Sequence, residues 1–136
     1  MKPRERRGYR HIREIYEMVP SVACQGSCHD SCTVIDASDL EKKAIRERHG
    51  VSLPPPLPAR RLRQLRDNGE TPPRCPALGP LNTCTLYEDR PLICRLYGAD
   101  AALPCAHGCV PEGGWLAAAV GNEMIGTVER ISRELG

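Results

Sequence analysis

Phenylalanine is absent from these 136 residues, and one tryptophan (Trp115) and four tyrosines are all the aromatic surface the chain has. Large aromatic side chains supply much of the area a core buries, so the interior is expected to be thin. Thirteen prolines and twelve glycines point to long stretches of irregular backbone. No run reaches the roughly 18 apolar residues a membrane span requires. Residues Met1–Arg13 hold neither an apolar h-region nor a small-residue cleavage site, so the expectation is a chain that is not secreted, cytoplasmic or part of an intracellular particle. No Gly-rich phosphate loop, H-E-x-x-H or G-x-S-x-G occurs, so no catalytic residue is assigned and no small-molecule substrate is indicated.

Cysteine, by contrast, is abundant. Eight thiols fall as Cys24, Cys28, Cys32, then Cys75, Cys84, Cys94, then Cys105 and Cys109. The length suits a single domain, and a thin core of that size needs cross-links. A reducing compartment disfavours disulfides, so metal is the expected cross-link. Thiolates are soft ligands that suit zinc and iron–sulfur clusters, and both usually take four per centre. Eight cysteines suffice for two centres or for one with spares, and spacing does not divide them. The chain contains no C-x₂-C pair; its close pairs are C-x₃-C. That absence, with the Cys75-Pro76 dipeptide, favours a 4Fe–4S cluster, with zinc as the alternative. Metal binding would become folding free energy, so each ligand-to-Ser change is expected to unfold the chain.

The fold class expected is a small, metal-stabilised, mostly α single domain with irregular Cys-rich loops. Residues 1–20 form a basic N-terminal arm and helix, with six basic side chains against three acidic ones. Ile12, Ile15, Tyr16 and Val19 are at helical spacing over residues 9–19, behind a solvated terminus with Arg–Glu pairing. Residues 21–112 make the cysteine-cluster domain. Within it, Ser38-Asp39-Leu40-Glu41 is a capping box that starts a helix from Asp39 to His49, and Gly50 suits its end. The Pro-rich connector 51–58, VSLPPPLP, cannot be helical and reads as extended polyproline-like backbone. Ala59–Asp67 is a short basic helix, Cys84–Tyr87 a short strand, and Arg90-Pro91 the start of a helical turn. Residues 113–136 carry a C-terminal helix, Trp115–Leu135. It is expected to pack on the cysteine loops, with Trp115 over the core edge and Gly121 and Gly126 at close approaches.

From Cys75 the chain reads CPALGPLNTCTLYEDRPLICRLYG. This resembles the core of the YkgJ-type cysteine-cluster family, a zinc- or iron-chelating domain. That family runs C-P-x-L, a Cys, an aliphatic-Tyr pair, R-P and Cys-Arg. The matching positions are Cys75, Pro76, Leu78, Cys84, Leu86, Tyr87, Arg90, Pro91, Cys94 and Arg95. The family's upstream C-x₂-C-x₂-C-C corresponds to Cys24, Cys28 and Cys32, more widely spaced and with Thr33 in place of the doubled cysteine. The resemblance spans about residues 22–110 and implies metal chelation.

Arg90 and Arg95 flank the downstream cysteines. They are expected either to offset the negative charge of the thiolates or to pair with Glu88 or Asp89. His107 and His29, each between two cysteines, are expected to hydrogen-bond thiolates rather than ligate; His11 and His49 are expected on the surface. The functional expectation is a metal-binding protein with a structural or interaction role in an assembly, working through protein partners. The alternatives are a redox or catalytic iron–sulfur protein, and a metal module that binds nucleic acid through the basic arm and Arg60, Arg61, Arg63 and Arg66.

Overall fold

A computed structural model describes residues 1–22, 35–81 and 83–136 of the chain. Its elements are α1 (Pro3–Tyr16), α2 (Asp39–His49), α3 (Ala59–Asp67), a 3₁₀ turn (Tyr87–Asp89), α4 (Leu92–Leu96) and α5 (Ala118–Leu135). Among the described residues there are no β-strands, only isolated bridges. None of the helices is long and apolar enough to cross a membrane. The molecule is thus one small, mostly helical domain.

The N-terminal arm is not a frayed tail. Pro3 occupies the first helical position, where its missing N–H costs nothing. Glu5 accepts the backbone N–H of Lys2 at 2.7 Å and the Lys43 ammonium at 2.6 Å. From there Gly8, Tyr9, Ile12 and Tyr16 form a buried stripe at helical spacing. Gly8 marks the crossing with α5: a Cβ there would sit 2.8 Å from Leu135 Cβ and 3.0 Å from Leu40 Cδ2. The helix therefore starts six residues earlier than its apolar periodicity suggests. It also stops sooner, at Tyr16, because the chain tightens into i→i+3 bonds at Met18 and Val19 ahead of Pro20.

α2 begins and ends where its caps place it. Ser38 Oγ accepts the Glu41 N–H at 3.2 Å, Glu41 Oε1 accepts the Ser38 N–H at 3.1 Å, and Gly50 takes φ +67. α3 likewise matches its expected span, with Leu65 buried and Leu62 41% exposed. α5 starts three residues later than expected. Leu116 is held out of the helix by backbone bonds to Ala99 and Ala101, both 2.9 Å, and Trp115 is exposed rather than set against the core.

α5 packs on α1, α2 and α4, the last of which carries Cys94. Gly121 is a close approach, since a Cβ would fall 1.9 Å from the buried Asp100 carboxylate, whereas Gly126 faces open space. The helices enclose one apolar cluster built on Tyr9, Ile12, Tyr16, Leu40, Leu96, Met124 and Val128. A second, smaller cluster joins Ile45, Cys75, Ala77 and Leu86, with Val51 and Leu53 of the Pro-rich connector against it. The first cluster contains no cysteine; the second does.

Candidate metal centre

Each described cysteine is placed by a short local device. Cys75 and Cys84 bracket a tight reversal in which Leu78 N–H bonds Cys75 O (3.0 Å), Gly79 N–H bonds Thr83 O (2.8 Å) and Thr85 N–H bonds Ala77 O (2.8 Å). Cys84 is bridged to Leu78 there, and the chain turns into a 3₁₀ turn instead of the expected strand over Cys84–Tyr87. Cys94 rides on α4, whose N-terminal Leu92 N–H is accepted by Glu41 Oε2 at 2.7 Å. Cys105 and Cys109 lie in the CAHGC loop. Tyr97 Oη accepts the Ala106 N–H of that loop at 3.2 Å, and Gly108 turns it at φ +81.

All five line one cavity of about 680 Å³, together with Arg13, Tyr16, Glu17, Val22, Ile35, Tyr87, Glu88, Arg90, Arg95 and Tyr97. None of the five forms a disulfide with another of the five. Cys24, Cys28, Cys32 and His29 lie outside the described residues, but the chain leaves the described part at Val22 and returns at Ile35, both on this cavity. Family models, curated proteins and solved structures give no match to the chain.

The thiols fall into two electrostatic groups. Burial pushes Cys94 up to about 12, and the charges of Cys75 and Cys84 push the same way, while Arg90 opposes them. Cys84 is raised by burial, countered by a hydrogen bond from the Leu86 backbone, and raised again by Cys75. Cys75, Cys84 and Cys94 thus lie close enough to disfavour one another's ionised forms, and added positive charge would oppose that effect. Cys105 goes the other way. The His107 N–H donates to its sulfur at 3.4 Å, and bonds from Cys109 and Gly108 add to it, lowering its pKa despite some burial. Converging backbone amides of this kind favour an anion.

A soft cation suits this donor set, because it would reverse the repulsion among Cys75, Cys84 and Cys94 and because thiolates prefer zinc and iron. The cavity, at about 680 Å³, is far larger than the ~30 Å³ share of one liquid water. Among the described residues no three Cys, His, Asp or Glu side chains are gathered into the shell of a single ion. The described donors are a trio and a pair.

The flanking groups behave partly as expected. Arg90 stacks on Tyr87 at 3.8 Å, and its charge favours the ionised forms of Cys84 and Cys94. Arg95 donates to the carbonyls of Arg90 (2.8 Å) and Glu88 (2.7 Å), and its guanidinium lies over the Tyr16 ring at 4.2 Å. Asp89 pairs with Arg48 (3.0 Å) and His49 (2.7 Å) on α2 rather than with either of them. His107 reaches Cys105 through its backbone amide.

A group missed by sequence reasoning is Glu41. Its buried carboxylate accepts from Ser38 N–H, Ser38 Oγ, Leu92 N–H and the Tyr16 hydroxyl. Tyr16 is raised chiefly by burial and then by the Glu41 charge. Sequence shows Glu41 as the capping-box residue of α2, but not that it also receives α4 and α1.

Asp89 fastens the cysteine-bearing segment to α2 and makes that fastening acid-sensitive. Burial works to raise its pKa, but the hydrogen bond from His49 and the charge of Arg48 outweigh it, so the folded value lies below the ordinary 3.8. Stability contributed by a depressed carboxylate is complete above the unfolded pKa and is lost as pH falls through the folded one. Asp89→Asn is therefore expected to lower the melting temperature near neutral pH and to converge with the parent once pH has fallen through the depressed folded pKa of Asp89. Parallel thermal melts across pH would show the convergence; a constant gap would exclude it.

Proposed function

We propose that this chain is a small metal-binding protein whose thiolates hold an iron–sulfur cluster, with zinc as the alternative. The metal ties the cysteine segments to the helical body, as a structural element for assembly with a protein partner. The observation that carries this reading is that all five described cysteines, spread over Cys75–Cys109, line a single cavity. The mutual repulsion of the trio around Cys94 supports a cationic occupant. The match of Cys75–Arg95 to the YkgJ-type pattern points the same way.

Cys24, Cys28 and Cys32 complete the proposed ligand pool. Arg90 and the amides of the CAHGC loop would then balance and orient the thiolates, as outer groups around a metal do.

The test is anaerobic purification of the full chain, followed by a visible spectrum and determination of iron, sulfide and zinc. A cluster-bearing chain is brown, holds iron and sulfide in equal amounts, and loses its visible band on reduction. A colourless chain with integral zinc moves the assignment to zinc. A chain that holds neither metal and melts unchanged when iron with sulfide, or zinc, is supplied would overturn the proposal.

A further inference from the structure

Besides the N-terminal arm, α3 presents a second cationic surface. On α1 the arginines are partly engaged: Arg4 donates to the Glu134 carbonyl and Arg6 to the Met1 carbonyl, and Glu14 and Glu17 share the exposed face. α3 carries Arg60, Arg61, Arg63 and Arg66, all exposed, against Asp67. Its ion pair, Arg66 to Asp67, spans 3.9 Å with both side chains about three-quarters exposed, and such a pair contributes little. Of its nine residues Leu65 alone is buried. At 3.6 residues per turn, Arg60 and Arg63 lie roughly opposite Leu65, and Arg61 and Arg66 flank it on either side. The helix therefore stands out from the body with cations around most of its circumference. The chain enters it from Pro54-Pro55-Pro56-Leu57-Pro58, whose prolines are exposed and whose backbone reaches α3 with Pro58 at φ −57 and ψ 148.

We infer that α3 is a docking helix for duplex DNA, held through the phosphate backbone. Charge complementarity selects a polyanion, and shape selects among polyanions. A helix about 10–12 Å across fits the ~12 Å major groove of B-DNA, where arginines on several sides can reach phosphates of both strands. The deep, narrow major groove of A-form RNA does not admit it, and an acidic protein surface would engage one side of the helix only. Nothing in this inference depends on which metal the cysteines hold.

The experiment titrates the full chain, as purified with its metal, into a short fluorescein-labelled DNA duplex, read by fluorescence anisotropy at several NaCl concentrations. An RNA duplex of the same sequence and polyglutamate serve as unlabelled competitors. Binding is expected to weaken with salt at a log–log slope near −3 to −4, since each phosphate neutralised contributes about −0.9. R60Q/R61Q/R63Q/R66Q should raise Kd more than about tenfold at low salt and flatten that slope. The corresponding Arg→Lys variant should retain both, which separates loss of charge from loss of fold. R7Q/R10Q on α1 should bind like the parent. The inference is overturned if the parent does not bind DNA at low salt, if the glutamine variant binds as the parent does, or if RNA or polyglutamate competes better than unlabelled DNA.

Discussion

Glu41→Ala is expected to destabilise the fold by about 3–5 kcal/mol, because it leaves four donors buried without an acceptor. Those donors come from three parts of the chain: the Tyr16 hydroxyl at the end of α1, Ser38 N–H and Oγ at the start of α2, and Leu92 N–H at the start of α4. A carboxylate can accept from all of them at once, since its two oxygens offer about four lone-pair sites. Tyr16→Phe removes a single donor and should cost only about 1 kcal/mol. Urea unfolding of the two variants at neutral pH checks the contrast, and the melting temperature of Glu41→Ala should fall by roughly 10–20 °C. A loss below about 1 kcal/mol for Glu41→Ala would show that water replaces the carboxylate without penalty.

Cys94→Ser is expected to abolish metal retention and to remove most of the stability the metal confers. Binding of a structural metal through thiolates is worth about 10–16 kcal/mol in zinc-finger peptides, and that energy is folding energy. Cys94 is placed to be a sensitive ligand, because burial first and the charges of Cys75 and Cys84 next hold its thiol in the neutral form. In the metal-free protein the same exchange is nearly isosteric and should shift the melting temperature by no more than a few degrees. Metal content and melts of parent and variant, each with and without metal, make up the measurement. A variant that keeps its full metal complement would remove Cys94 from the ligand set.

Legibility of the sequence followed local chemistry. The boundaries of α2 and α3 were readable because a capping box and Gly50 mark one, and Pro58 and Asn68-Gly69 mark the other. The start of α1 was not, because Glu5 and Gly8 look like surface and breaker residues until Lys43 and α5 are set against them. The start of α5 was misplaced for a related reason: Leu116 continues the apolar stripe, yet its backbone is taken by Ala99 and Ala101. At the site, spacing identified the cysteines as a pool, but their partition depends on the reversal between Cys75 and Cys84 and on α4, which tertiary contacts fix. The carboxylate that supports α4 was hidden because a capping-box glutamate normally faces water.

The crossing at Gly8 also settles where attachments to this molecule can go. Leu135 packs beside Gly8, and Arg4 reaches the carbonyl of Glu134, so both ends of the polypeptide emerge at one pole. The thiol-lined cavity begins at Arg13 and Tyr16, roughly 8–12 Å along α1 from Gly8 at 1.5 Å per residue. A fusion tag or fluorescent label at either terminus would therefore sit clear of the cavity mouth. Two labels, one at each end, would report melting of the α1–α5 pair by energy transfer without disturbing the sulfurs.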